Sequence, residues 1–352
     1  MAEERASPVP PGFGIRVPPT AGPRESAACM ARAERAGFRT AWVPDSQFLF
    51  RDAWMTLAAG ALATERIRLA TGVTNLRTRH PSVTAAALQT LEEAAPGRAV
   101  LGVGTGDSSV KGLGLGPTRL ADLERACHDI RTLGGGGSVE YGGRRMRLRD
   151  ATGRVRPIVV AATGPRALEL AGRIADGVLI MAGVSPPLVR EAMGHVEAGL
   201  SAAGRSRPDI EVCVGAVCDI VANGADVVRI AKPHCAGDAQ RGAAVVLRES
   251  GVDVRGTVPQ HIPEVYPDIT HAEDWDRAVQ VAGRWISDEA AARYAECFTL
   301  IGTAGDVVAR VRAAVDAGAD SFYLRHFRSY VLPDDLVDTF GSAVIEEFAA
   351  PS

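Results

Sequence analysis

The chain has 352 residues, of which 46% are hydrophobic, and its 39 basic and 42 acidic side chains leave a formal net charge of −3. The basic residues are scattered, which argues against nucleic acid or an anionic membrane as partner and leaves a small molecule. No run of eighteen apolar residues occurs and the amino terminus has no apolar segment, so we expect a soluble cytoplasmic protein.

Short apolar runs alternate with longer amphipathic segments along almost the whole chain. The runs predict eight strands, at 13–17, 40–43, 67–73, 99–104, 158–162, 177–181, 210–221 and 321–325. The segments between them predict helices at 25–36, 53–63, 83–93, 119–132, 166–174, 187–203 and 306–317. Alternation of this kind requires parallel strands joined by helical crossovers.

Eight such units are what an α/β fold of the (β/α)8 (TIM) barrel type requires. A doubly wound sheet usually has fewer, and it often carries a phosphate loop after its first strand, where this chain reads PPTAGP. We therefore predict one TIM-barrel domain over residues 1–352. Two stretches interrupt the alternation: 134–149 predicts a hairpin, and about 233–288 predicts an insertion after strand 7, both over the barrel mouth.

The six cysteines are dispersed, as expected in a reducing compartment. The closest pair, Cys213 and Cys218, lies in a predicted strand, and the odd separation puts the two thiols on opposite faces. The sequence contains neither an H-E-x-x-H nor a C-x-x-C motif, and no metal site is expected.

The stretch LGVGTGDSS at 101–109 ends the fourth predicted strand. A dinucleotide fingerprint needs a third glycine where Asp107 stands. Gly104 and Asp107 instead bring backbone amides and a carboxylate to the carboxyl ends of the strands, where TIM barrels keep their active sites. The alternative is a tight turn in which Asp107 only caps the next segment.

After the fifth predicted strand, Thr163 and Gly164 precede Pro165, a residue that suits the first position of a helix. Unpaired amides and the positive end of the helix dipole would then face the mouth beside Arg166. This pattern predicts an anion site suited to phosphate. The alternative is that Thr163 merely caps the helix.

At these residues the chain resembles the bacterial luciferase-like superfamily, and within it the branch of methylenetetrahydromethanopterin reductase and related enzymes that use the deazaflavin coenzyme F-420. The matching stretches are FRTAWVPDS (38–46), IRLATGVTNLRTRHPSVTAAALQTLEE (67–93), GRAVLGVGTGDS (97–108), VVAATGPRALELAGRIADGVLI (159–180), LIGTAGDVVARV (300–311) and GADSFYL (318–324). They extend along nearly the whole chain except the insertion.

The resemblance implies a barrel that holds a flavin or deazaflavin at the carboxyl ends of its strands. The third strand would end in a bulge with a non-prolyl cis peptide at Gly72 and Val73, behind the ring, and Asp45 would lie near the polar edge of the ring. The residues assigned to the cofactor are Asp45, Ser46, Gly72, Val73, Thr74, Gly104, Thr163, Gly164 and Arg166.

Asp107 matches the carboxylate that lies by the reacting ring or substrate in deazaflavin enzymes, so we assign it as the catalytic acid or base. Hydride transfer requires the two carbons in near-attack geometry and a nearby group that handles any proton. To act as an acid near neutrality, Asp107 would need burial against ring and substrate. The alternative is an ionised Asp107 that orients the substrate.

Two departures from the family pattern concern the substrate. Ser46 stands where some members have histidine, and the first strand reads FGIR, with Arg16, where many reductases read FGIE. A cation in place of an anion argues against a pterin-type substrate and predicts one with negative charge. His326 is the second candidate for substrate binding, since it follows the last strand between Arg325 and Arg328; the alternative is a solvated basic loop.

The sequence is compatible with three functions. The first is an oxidoreductase that transfers hydride between coenzyme F-420 and a small organic substrate. The second is an FMN-dependent monooxygenase, because the same scaffold serves both cofactors. The third is a non-catalytic cofactor-binding relative, suggested by Arg16 and Ser46. The resemblance also implies a homodimer through helices on one barrel flank, and a separate reductase that supplies reduced cofactor is a further partner to be considered.

Overall fold

The computed structural model describes residues 10–349, and in that range the chain forms twelve strands and thirteen α-helices. The strands are β1 (Gly12–Arg16), β2 (Thr40–Val43), β3 (Arg68–Thr71), β4 (Thr74–Asn75), β5 (Ala99–Gly104), β6 (Val139–Tyr141), β7 (Arg144–Met146), β8 (Ile158–Ala162), β9 (Gly177–Ile180), β10 (Glu211–Ile220), β11 (Thr299–Gly302) and β12 (Ser321–Arg325). The helices are α1 (Pro23–Arg35), α2 (Ala53–Ala63), α3 (Pro81–Ala94), α4 (Ser108–Lys111), α5 (Leu120–Gly134), α6 (Pro165–Ile174), α7 (Pro186–Ala202), α8 (Gly224–Gln240), α9 (Ala244–Glu249), α10 (Trp275–Ala282), α11 (Asp288–Phe298), α12 (Ala304–Asp316) and α13 (Asp334–Ala343).

Eight parallel strands close into a barrel in the order β1, β2, β3, β5, β8, β9, β10 and β12, and β12 pairs back onto β1. This confirms the predicted TIM barrel. Side chains alternate between two cores. The outer core lies between strands and helices, whereas Trp42, Val100, Leu179 and Tyr323 fill the lower part of the barrel interior.

The predicted third strand is divided in two. β3 ends at Thr71, β4 begins at Thr74, and the peptide bond between Gly72 and Val73 is cis, as the resemblance implied. The backbone approach here is close: a Cβ on Gly72 would lie 2.7 Å from the Cβ of Trp42. The sequence had predicted one continuous strand because the apolar run does not change at this point.

The insertion after the seventh barrel strand covers more residues than predicted and contains helices and a strand of its own. It begins with α8, which Asn223 caps by accepting from the amide of Asp226, and it ends with β11, an additional strand that pairs with the outer half of β10. Its helices enclose a core of their own, which includes Ile230, Trp275 and Tyr294. The elements between β10 and α12 run from α8 to β11, a wider range than the predicted interval of about 233–288, because α8 begins before the composition becomes irregular.

The predicted hairpin is present as β6 and β7, which pair antiparallel. Tyr141 lies against the His80 ring, with centroids 4.7 Å apart, and its hydroxyl donates to Asp129 of α5 at 3.1 Å. The hairpin is thus held at the side of the barrel between α3 and α5. Its position over the mouth stays a prediction.

Both thiols of the closest cysteine pair are buried, Cys213 in the barrel interior and Cys218 in the outer core, which confirms that they face opposite ways. On the flank formed by α2 and α3, Met55, Leu62 and Val83 are exposed. The homodimer stays a prediction. Within residues 10–349 no helix has the length and apolarity needed to cross a bilayer.

Candidate functional site

The structure brings every site residue predicted from the sequence to one rim of the barrel. Because the eight strands are parallel, their carboxyl ends meet at the same rim. The residues concerned are Arg16, Asp45, Ser46, Gly72, Val73, Thr74, Gly104, Asp107, Thr163, Gly164, Arg166 and His326. A cavity of about 990 Å³ lies at the opposite rim among charged residues such as Arg39 and Arg68 and contains none of them.

A floor of small and apolar side chains closes the interior below this rim. Three partly buried side chains form this floor and pack on the interior core: Val73, Ala161 and Met181. A Cβ on Gly104 would lie 3.2 Å from Cγ2 of Val73 and 3.7 Å from the Cβ of Ala161. Glycine at position 104 therefore leaves no side chain above the contact between Val73 and Ala161.

Asp45 is buried and fully engaged by its neighbours. One carboxylate oxygen accepts from Thr74 Oγ1 at 2.6 Å and from Arg79 Nε at 2.8 Å, and the other accepts from Arg79 Nη2 at 3.1 Å. Arg79 also donates to Asp52 at 2.7 Å. Asp45 thus holds the segment after β4 in place, and its contact with a cofactor stays a prediction.

Three loops of the rim are tied together by hydroxyl and amide groups. Ser46 and Ser108 lie 2.9 Å apart, oxygen to oxygen, and Asn75 Nδ2 donates to the hydroxyl of Ser109 at 3.0 Å. Gln47 donates to the Ser109 carbonyl at 2.9 Å. The ends of β2, β4 and β5 are therefore fixed relative to one another.

Asp107 lies at the rim but is exposed. It precedes the short helix α4 without making a side-chain cap, and its carboxylate is 2.5 Å from Nζ of Lys111. The burial that an acid near neutrality requires is not provided by the protein's own side chains. The position suits the alternative role better, that of an ionised group which orients a substrate.

The amino terminus of α6 lies at the rim. The amides of Ala167 and Leu168 donate to the Gly164 carbonyl, so the free donors of this turn are the amides of Gly164 and Arg166. Gly164, rather than Thr163, is the N-cap, it makes no side-chain cap, and Pro165 occupies the first helical turn. Thr163, Gly164 and Arg166 are exposed, and a Cβ on Gly164 would meet no atom within 4 Å. The helix dipole and the neighbouring Arg166 would favour an anion here, and the anion site stays a prediction.

His326 lies near a carboxylate that the sequence analysis did not select. Its Nε2 is 3.9 Å from Asp219 Oδ2, too far for a hydrogen bond, and its Nδ1 is buried without a partner. Burial lowers the pKa of His326 to about 4, so the ring is neutral near pH 7. Burial also raises the pKa of Asp219 to about 6. Asp219 could have been selected from the sequence, because it is a carboxylate inside the apolar run 210–221.

Replacing Asp219 by asparagine tests this burial. Because its pKa is raised from 3.8, the carboxyl stabilises the fold when protonated, and this stability is lost as the pH rises from about 4 through about 6. Asp219→Asn should therefore be more stable than wild type at pH 8 by about 1 to 3 kcal/mol. We expect the difference, measured by urea unfolding, to be about 1 kcal/mol smaller at pH 5. The exposed control Asp150→Asn should show no such pH dependence.

The chain has clear similarity to known proteins. A model of the luciferase-like monooxygenase family matches residues 7–321. A 5,10-methylenetetrahydromethanopterin reductase of Methanolobus tindarius is 30% identical over 316 residues, which are 87% of this chain and 91% of that protein. An F-420-dependent glucose-6-phosphate dehydrogenase of Microbacterium testaceum is 36% identical over 213 residues, 54% of this chain and 62% of that protein. The solved structure of the coenzyme F-420-dependent tetrahydromethanopterin reductase from Methanopyrus kandleri has a TM-score of 0.76 at 25% identity and covers 97% of this chain and 100% of its own.

Proposed function

The chain belongs to the luciferase-like monooxygenase family, and on that basis we propose that it is an oxidoreductase that transfers hydride between coenzyme F-420 and a small organic substrate. The observation that carries this proposal is the agreement of several relatives. The dehydrogenase of Microbacterium testaceum is named as F-420-dependent. The reductase of Methanolobus tindarius is named for methylenetetrahydromethanopterin, and the solved tetrahydromethanopterin reductase of Methanopyrus kandleri is named as F-420-dependent.

The rim fits a flat ring with a phosphate-bearing tail. The partly exposed floor of Val73, Ala161 and Met181 would support the ring, and the open space at Gly164 leaves room for a phosphate on the α6 amides. Floor and helix terminus lie on one rim, as a single elongated cofactor requires. Arg166 would add a positive charge beside that phosphate.

Coenzyme F-420, when bound, supplies the carbon that donates or accepts hydride. The protein's own groups then orient the substrate over the floor and handle protons. We assign orientation of the substrate to Asp107, which follows β5 and lies exposed at the rim. Asp219, whose pKa is about 6, holds or releases a proton at its carboxylate near neutral pH. The insertion, with its own core, would exclude water from the mouth.

The family model's description favours a second candidate, an FMN-dependent monooxygenase. Absorbance titration separates the candidates. We expect saturable binding of F-420 and weaker binding of FMN. Saturable FMN binding without any F-420 binding would contradict the proposal, and F-420 binding without turnover of any acceptor in a panel would favour the non-catalytic alternative.

A pair of glycine variants tests where the ring lies. Gly104→Val would fill the space above the floor and should weaken F-420 binding at least about tenfold, or about 1.4 kcal/mol. Gly194→Val is the matched control, because Gly194 is on an exposed face of α7 and its Cβ would meet nothing within 4 Å. Equal affinities of the two variants would show that the ring does not rest on this floor.

A further inference from the structure

Two arginines stand side by side at the rim and point into the barrel. β1 and β12 pair with Ile15 opposite Leu324, so Arg16 and Arg325 are the next residues of the same register. Ile15 and Leu324 belong to the outer core, whereas Tyr323 belongs to the interior. Because side chains alternate along a strand, both guanidinium groups face inward above the floor.

Neither guanidinium has an acidic partner within residues 10–349. Arg16 is only 7% exposed, stacks over Phe50 with 5.0 Å from Cζ to the ring centroid, and makes no salt bridge in that range. Burial lowers the pKa of Arg16, and the neighbouring charge of Arg325 lowers it further. The Nε of Arg325 is buried without a hydrogen-bond partner. Burying unpaired cations is costly, and two together more so.

The insertion brings unpartnered polar atoms close enough to Arg325 for its charge to act on them. His234 of α8 is 3% exposed, and neither ring nitrogen has a hydrogen-bond partner. Burial lowers the pKa of His234 well below its usual value, and Arg325 is the charge that acts on it most. The neutral ring therefore offers one N–H donor. The indole nitrogen of Trp275, whose ring centroid lies 5.2 Å from that of His234, is likewise unpartnered.

We propose that Arg16 and Arg325 bind an oxyanion group of the substrate, a phosphate or a carboxylate, with His234 of the insertion donating to it from above. Guanidinium forks match both oxyanions, and the aromatic and apolar walls strengthen charge-assisted hydrogen bonds. This deepens the proposed function by naming the substrate class. The site is distinct from the α6 terminus, since three strand pairings separate β12 from β8.

Calorimetric titration with inorganic phosphate and with succinate tests the proposal on the full chain. At least one of the two anions should bind wild type, and Arg16→Gln and Arg325→Gln should each weaken that binding at least about tenfold, the loss of one charged hydrogen bond. The exposed control Arg149→Gln should bind as wild type. Phosphate binding alone identifies a phosphorylated substrate, and succinate binding alone a carboxylate. Binding of neither anion overturns the proposal.

Two further measurements distinguish anion binding by these arginines from a purely structural role and from binding of the cofactor. Without anion, Arg16→Gln should melt at a higher temperature than wild type, because it removes a buried unpaired charge; a lower melting temperature with unchanged anion affinity would mean that Arg16 only packs on Phe50. Saturating F-420 should leave anion affinity unchanged, and competition would assign the arginines to the cofactor. If the protein did not bind F-420 at all, the proposed function would be refuted, but the titration would still test whether the two arginines bind an anion.

Discussion

Gly102→Ala should destabilise the barrel by more than about 4 kcal/mol, a loss that few single substitutions cause. A Cβ at this position would lie 2.0 Å from the carbonyl oxygen of Thr71 and 2.9 Å from the indole of Trp42. The backbone of Gly102 also exchanges two hydrogen bonds with the Thr71 hydroxyl, at 2.7 and 3.0 Å. Relieving the clash must separate β3 from β5 or displace Trp42 from the barrel interior.

Gly104→Ala is the matched control for this effect. Gly104 lies two residues further along β5 on the same face. Its Cβ would lie 3.2 Å from a methyl group of Val73 and 3.7 Å from the Cβ of Ala161, which is an ordinary contact distance. We expect it to cost less than about 1 kcal/mol, since a side-chain methyl can move by a few tenths of an ångström. Urea unfolding of both variants measures the difference. If the free energies of unfolding of Gly102→Ala and Gly104→Ala differed by less than about 1 kcal/mol, β3 and β5 would be further apart than the structure indicates.

Asp45→Asn is expected to lower the free energy of unfolding by about 2 to 4 kcal/mol. The substitution keeps the size of the side chain but removes the buried charge that accepts two hydrogen bonds from Arg79. Arg79 is then left with Asp52 alone. Because Thr74 also loses a charged acceptor, the segment after the cis peptide should become less ordered, and F-420 binding should weaken together with stability.

Asp52→Asn provides the comparison for Asp45→Asn, since it removes the other partner of Arg79. Asp52 is 44% exposed at its side chain, and asparagine preserves the N-cap that accepts from the Met55 amide at 2.9 Å. We expect a loss below about 1 kcal/mol, as for exposed ion pairs. If thermal and urea unfolding gave equal losses for the two variants, Asp45 would not be the buried anchor of the rim.

Much of the fold was predictable because strand and helix periods are local properties of the sequence. The alternation of apolar runs and amphipathic segments predicted the eight barrel strands within one or two residues, except at 67–73. Parallel strands joined by crossovers then place all carboxyl ends on one side, which is why Gly72, Gly104 and Gly164 could be assigned to one rim. The strand β11 escaped detection because its four residues follow a helix directly and pair only with β10.

The candidate site was predictable in its position and less so in its chemistry. The sequence does not tell which ion pairs form between separate elements, so it could not indicate that Asp45 is engaged by Arg79. His234 could not be connected with Arg325, because the two are 91 residues apart in the chain and the charge of Arg325 acts on His234 only in the folded protein. The raised pKa of Asp219 could not be predicted from the sequence, because its main cause is burial of the carboxyl group in the folded protein.

What the sequence alone determined is the barrel, its family and the rim at which chemistry takes place, since these follow from periodicity and from short motifs whose residues are adjacent in the chain. Only the tertiary structure decided which charges at that rim are neutralised and which are not. Pairing depends on distances of a few ångströms between strands remote in sequence, and burial changes the energy of a charge far more than its neighbours along the chain do.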